Sequence, residues 1–383
     1  MARFSFLSAR RFLPLSLLVA SAWLSGCSSD AQSPLAEPDD IAGSVAKKYL
    51  NHFPIGAAVG NWELDNEGRA LERDFNHLTC ENAMKAQNIH PAEAEYVWTE
   101  ADRVANFARS HRLKMTGHAL LWHRQAPAWM FADISAGEPS SVELLKARLK
   151  AHIEAVVNRY ADVVDNWDVV NEAISSDYSK IYRDGAEGSQ WYQLFGSEEY
   201  IYWAYQYAHD ALEAIEPGSS AGKLYYNDYT VTSKVEQILT MFAWLETRGI
   251  HVDGVGFQSH EYMSWPSEGE LQAAFDRFVA AGYKLKISEL DVTVYDDYAS
   301  GSFVASPQVE YTPALEDEQA RRFASLFSVY RNNRANITSV TFWGISDNRS
   351  WLNYVPVMGR ADYPLLYKDA TTPKAARAAI MNF

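Results

Sequence analysis

Eight short β-favouring runs, each separated from the next by a longer stretch, constrain this chain more than anything else in it. They lie at 55–59, 75–79, 114–119, 166–170, 223–226, 254–258, 284–288 and 339–343. Between them, apolar residues recur at helical spacing through 101–111, 142–160, 198–215, 233–247, 270–281 and 316–332, and Pro373 is expected to open a last helix. Alternation of this kind implies an α/β chain with a parallel sheet, and eight such strands close into a (β/α)8 TIM barrel. Of the 383 residues, 48% are hydrophobic and 22% charged, enough for a single barrel-sized core.

The ends of these runs carry the chemistry. Asn166-Trp167-Asp168-Val169-Val170-Asn171-Glu172-Ala173 leads an apolar strand straight into an amide and a carboxylate, and Lys284-Leu285-Lys286-Ile287-Ser288-Glu289 does the same. Parallel barrel strands bring all their C-terminal ends to one rim, so Glu172 and Glu289 should face one cleft. Two carboxylates across a cleft are what hydrolysis of a glycosidic bond requires. Other polar groups belong to the same rim. Glu81, Asn82 and Lys85 follow the second run, His118, Trp122 and His123 the third, and Asn227 and Asp228 the fifth. Gln258 and His260 follow the sixth, Asp291 the seventh, and Trp343, Asp347 and Trp351 the eighth. One such residue could be a cap or a structural ion-pair partner; their convergence speaks for a site.

Composition narrows the ligand. A net charge of −15 argues against nucleic acid, whose phosphates need clustered Lys and Arg. Aromatics make up 13%, with 12 Trp and 22 Tyr, which points to flat platforms on a binding surface; the competing reading is a Trp-rich core. His118 and His123 have poor metal-ligand spacing and no His-Glu-x-x-His occurs, so no metal and no cofactor are expected. Gly254-Val255-Gly256 lacks the third glycine of a dinucleotide fingerprint, since position 259 is Ser.

The N-terminus reads as an address. Arg3, Arg10 and Arg11 precede an apolar run at 12–24 that is short for a membrane span. Leu24-Ser25-Gly26-Cys27 resembles the lipobox of a bacterial lipoprotein, with 1–26 removed, Cys27 lipidated and 27–40 forming a tether to a catalytic domain at 41–383. That implies a cell-envelope location with a membrane anchor, at the outer membrane; the rival is an ordinary secretory signal cut after Ala22. Lipidation of Cys27 would leave Cys80 alone and the domain without disulfides.

Taken together, the motifs resemble glycoside hydrolase family 10, the endo-β-1,4-xylanases, over most of the chain from Val45 to Phe383. The resemblance rests on Thr79-Cys80-Glu81-Asn82-Ala83-Met84-Lys85, Gly117-His118-Ala119-Leu120-Leu121-Trp122-His123 and the Asn171-Glu172 stretch. Asn227-Asp228, Gln258-Ser259-His260, Ile287-Ser288-Glu289-Leu290-Asp291 and Trp343-Gly344-Ile345-Ser346-Asp347 complete it. It implies a retaining enzyme with Glu172 as acid/base and Glu289 as nucleophile. Glu81, Asn82, Lys85, His118, Trp122, Gln258, His260, Trp343 and Trp351 would hold sugars on the non-reducing side of the cut. Asn171 would donate to the sugar 2-hydroxyl, and Asp291 would pair with His260 to orient Glu289. Ala86 and Asn348 depart from residues common in the family, which bears on subsite strength.

The expected substrates are xylan and xylo-oligosaccharides, handled by a monomer. Two loops, 174–197 and 293–313, carry Tyr178, Tyr182, Trp191, Tyr192, Tyr295, Tyr298 and Tyr311, and are expected to wall the leaving-group side. The rivals are a β-1,4-glucanase on the same barrel, a sugar-binding lipoprotein without activity, and a metal-dependent hydrolase.

Overall fold

Hydrogen bonding runs unbroken round a closed parallel sheet. In this computed structural model β1 (Ile55–Val59), β2 (His77–Cys80), β3 (Lys114–Trp122), β4 (Val164–Asn171), β5 (Leu224–Asp228) and β6 (Gly254–Phe257) pair in that order. A three-residue strand, β7 (His260–Tyr262), follows in the chain without becoming a stave. β6 pairs past it with β8 (Lys284–Thr293), β8 pairs with β9 (Ile337–Phe342), and β9 returns to β1. The result is a (β/α)8 barrel. The structure describes residues 43–136, 138–298 and 302–383, so the leader, Cys27 and the tether lie outside the described residues.

Each strand is there because both of its faces are covered. All five residues of β1, Ile-Gly-Ala-Ala-Val, are buried, as a parallel strand between helices and barrel interior requires. Outside, Thr99–His111, Pro139–Tyr160, Glu199–Ile215, Val231–Glu246, Glu268–Ala280 and Pro313–Asn332 lie against the sheet. Glu199–Ile215 buries Tyr200, Ile201, Ala204, Tyr205, Ala208 and Leu212, a stripe at three- and four-residue spacing. Glu268–Ala280 begins at a capping box, with Glu270 N–H donating to Ser267 Oγ (3.2 Å) and Ser267 N–H to Glu270 Oε2 (2.8 Å).

The sequence reading needs correction at three places. The second strand begins at His77 rather than 75, and two short helices, Asn61–Asn66 and Gly68–Asp74, occupy a stretch where no helix was expected. Each is under two turns, too short to show periodicity. Pro373 lies in a two-residue strand paired with Tyr367, and the last helix starts at Ala375.

Inside the barrel, packing fixes side-chain sizes. Gly117 on β3 must be glycine because a Cβ there would lie 2.1 Å from the ring of the fully buried Trp167 on β4. Trp167 and Trp191 are core, so part of the aromatic excess supports the fold rather than a binding surface. Beneath the rim the interior is polar too. Lys286 Nζ donates to Asp168 Oδ1 and Asn166 Oδ1, both at 2.7 Å, and His118 Nδ1 lies 2.9 Å from Asp168 Oδ2. Burial works to raise the Asp168 carboxyl, but Lys286 and His118 outweigh it and hold it below its ordinary value.

Candidate active site

Register sets the site. Trp122 on β3 lies opposite Asn171 on β4, Asn171 opposite Asn227 on β5, and β6 runs beside β5 and ends just before Gln258. The strand ends therefore deliver three amides in a row. Gln258 Nε2 donates to Glu172 Oε1 (3.1 Å) and to Asn171 Oδ1 (3.2 Å). Asn227 Nδ2 donates to that same Asn171 oxygen (3.0 Å) and to Glu289 Oε1 (2.7 Å), while Ser288 Oγ donates to Asn227 Oδ1. One continuous amide bridge thus joins the two glutamates.

The glutamates differ in what else surrounds them. Glu289, on β8, is buried, with His260 Nε2 3.4 Å from its second oxygen. The pairing of β7 with β8 sets His260 opposite Asp291, and His260 Nδ1 lies 2.9 Å from Asp291 Oδ2. Trp351 Nε1 donates to that oxygen as well (2.9 Å). Burial favours a neutral His260, but Asp291 and Glu289 outweigh it and push the ring up to about 10. Burial also works to raise Glu289, yet the His260 hydrogen bond, with His118 and Lys85 nearby, holds it below its ordinary value.

Glu172 has no such cation against its carboxyl. Burial raises it, the charge of Asp228 raises it further, and the Gln258 hydrogen bond offsets only part of this. Its backbone is unusual too, with φ +57°, a left-handed conformation that costs a non-glycine residue about 1–3 kcal/mol.

The sugar-binding candidates lie round this pair. Lys85 Nζ donates to Asn82 Oδ1 (3.1 Å) and lies 4.9 Å from the Trp122 ring and 5.8 Å from Trp343, whose ring also meets His118 edge-on at 5.3 Å. Trp351 packs at 4.9 Å from the His260 ring. Burial raises the half-buried Glu81, with Lys85 opposing it; Asn82 is exposed.

Two of the residues placed at the rim by sequence are taken up in buried ion pairs, and a third is a buried imidazole. Asp228 is buried in an ion pair with Lys234 (2.7 Å), Asp347 in one with Lys374 (3.0 Å), and burial pushes His123 down to about 3. In the long loops, Trp191 is buried with its Nε1 donating to Trp122 O (3.0 Å), and Tyr295 is buried with its hydroxyl on Ala361 O (2.9 Å). Neither is free to meet a ligand, whereas Tyr178 is 59% exposed and Tyr298 48%. Sequence reasoning gave no role to Lys286 or Ser288; a lysine inside an apolar strand was the available signal. Among the described residues no group of three or more His, Cys, Asp or Glu could hold a metal ion.

A closed parallel barrel with two glutamates set in amides at one rim has the layout of a carbohydrate-cleaving barrel enzyme. Comparison with known proteins narrows this. The chain belongs to glycosyl hydrolase family 10, whose sequence model matches residues 44–383. It is 38% identical over 333 residues to endo-1,4-beta-xylanase B of Paenibacillus barcinonensis, covering 86% of this chain and 95% of that one. The crystal structure of an endo-1,4-beta-xylanase from Caldicellulosiruptor owensensis superposes with TM-score 0.80 at 37% identity, covering 89% and 99% of the two chains. A mutant relative solved in complex with xylotriose superposes equally well, with TM-score 0.80 at 36% identity and the same coverage.

Proposed function

We propose that the protein is a retaining endo-1,4-β-xylanase acting on xylan and xylo-oligosaccharides, with Glu289 as nucleophile and Glu172 as acid and then base. The observation that carries this is the opposite displacement of two glutamates tied to one amide bridge. The relatives named as xylanases and the xylotriose complex support the substrate class.

Glu289, ionised at neutral pH, attacks the anomeric carbon while Glu172 gives its proton to the departing glycosidic oxygen. The glycosyl ester removes the Glu289 charge. Glu172, now anionic, takes a proton from water, which attacks the same carbon and releases Glu289 and a sugar of unchanged configuration. Asn171 Nδ2 stands beside the acid, 3.5 Å from Glu172 Oε1, and can donate to the sugar 2-hydroxyl. Glu81, Asn82, Lys85, His118, Trp122, Gln258 and His260 line the non-reducing side, with Trp343 and Trp351 as packing faces. Bulky indoles there leave little room for the hydroxymethyl arm that glucose has and xylose lacks.

The proposal extends to location. Cys27 carries a lipid that holds the domain, as a monomer, at the cell envelope, where it trims fragments that other enzymes release. The motif at 24–27 supports this reading; metabolic labelling with a fatty acid, lost in Cys27→Ser, tests it.

The deciding experiment follows the anomeric proton signals while a xylo-oligosaccharide is cleaved. The β-anomer of the new reducing end appears first, and Glu289→Ala abolishes turnover. Binding without cleavage would remove the roles given to both glutamates.

A further inference from the structure

The loop leaving β4 turns back on itself at once. Ile174 and Tyr182 form a single antiparallel bridge, Ser175 N–H donates to Ile181 O (2.9 Å), and Arg183 N–H donates to Ala173 O (2.8 Å). That register returns Arg183 to the side of Glu172. Its side chain is buried, Nε donates to the Glu172 carbonyl at 2.9 Å, and Nη2 donates to the Tyr229 hydroxyl at 2.6 Å. Tyr229 is itself fixed, with its hydroxyl 2.6 Å from Ser176 Oγ and Lys234 Nζ 3.7 Å from its ring centre.

A buried guanidinium ordinarily takes a carboxylate as its main partner. Here the nearest carboxylate, on Glu187, stands 4.0 Å away and accepts from Ser175 Oγ (2.6 Å) and Ser176 N–H (3.0 Å) instead. Arg183 spends its two short bonds on a phenol and on one peptide carbonyl. That carbonyl belongs to the residue whose backbone is left-handed, and the amide of the same residue is held too, by Asn227 O at 2.9 Å. The peptide groups on either side of the Glu172 Cα are therefore both pinned, which fixes the direction of its side chain towards Gln258.

We propose that Arg183 is a positioning residue for Glu172, holding its carbonyl so that the carboxyl stays aimed at the leaving oxygen. The proposal rests on the acid/base reading given above. Arg183 touches no reacting atom; it acts through the backbone of one that does.

The test compares a xylo-oligosaccharide, whose leaving group needs a proton, with a dinitrophenyl xylobioside, whose leaving group does not. Arg183→Lys lowers kcat/KM on the oligosaccharide by about 10²-fold and on the aryl glycoside by about threefold at most. Azide then raises kcat on the aryl glycoside and yields the β-glycosyl azide. Tyr229→Phe, which removes one hydroxyl, shows the same split at about threefold to tenfold. If Arg183→Lys fails to fold, Tyr229→Phe decides by the same ratio. Equal losses on both substrates with no azide effect would make Arg183 a structural residue only and overturn the proposal. Glu172→Ala is the control. If it too loses activity equally on both substrates, the acid/base reading falls, and this proposal with it.

Discussion

Glu172 and Glu289 are the same side chain, at the ends of two strands of one barrel, bound to the same amide bridge, and displaced in opposite directions. Around Glu289 the nearest polar neighbour besides Asn227 is an imidazole held positive by Asp291. Around Glu172 the hydrogen-bonding neighbours are amides and the Trp122 indole, and the charges that raise it are those of two carboxylates, Asp228 and then Glu289. Burial alone would raise both. What separates them is whether a cation has been built in beside the carboxyl, so the division of labour lies in the second layer of residues rather than in the glutamates.

Removing the cation beneath the whole arrangement should have the largest effect. Lys286→Met leaves Asp168 buried with His118 as its only ion-pair partner, and should cost about 3–5 kcal/mol of stability. Urea denaturation measures it; a loss under about 1 kcal/mol would mean that the interior charges hardly matter to the fold.

His260→Asn attacks one side of the comparison. Glu289 must be ionised to attack, so the acid limb of kcat/KM follows its pKa. Losing the imidazolium raises that pKa and should move the acid limb upward by about one pH unit. An unmoved limb would mean that other groups keep Glu289 ionised. The same histidine gives a stability signature. Its pKa is higher folded, about 10, than the ordinary 6.5, so its contribution is complete below pH 6.5 and is lost as pH rises through 10. The melting temperature should fall across that window in the native protein and fall less in the variant.

Gln258→Leu sharpens the other side by the smallest margin. It removes a donor to Glu172, so the Glu172 pKa rises and the basic limb should move up by about half a unit or less. A downward move would mean that Gln258 does not stabilise the carboxylate. Comparing the two variants shows whether the limbs can be moved independently.

The barrel was legible because its signal is repeated: eight runs of two-sided burial separated by amphipathic stretches leave few other folds. The glutamates were legible because each ends an apolar strand. What escaped was anything decided by pairing across strands. Asp228 and Asp347 looked like rim groups, yet each meets a buried lysine from a later segment, Lys234 or Lys374, and no local pattern announces such a partner. Trp191 looked like a platform until its indole was found on the Trp122 carbonyl. Lys286 passed unremarked because strand periodicity cannot tell a barrel interior from an exposed face.

The rung between Ile174 and Tyr182 has a consequence for how such a protein can diversify. Beyond it the tip from Asp177 to Lys180 is exposed, while next to it Ser176 still bonds the Tyr229 hydroxyl and behind it Arg183 is tied to Glu172 and Tyr229. The tip can therefore vary in composition more freely than the base, where Lys180 pairs with Asp184 (2.7 Å) and Ser176 bonds Tyr229. Loops commonly carry both binding and catalytic residues on a rigid scaffold. The rung thus divides the loop into an exposed tip that can vary and a base held to the residue it positions.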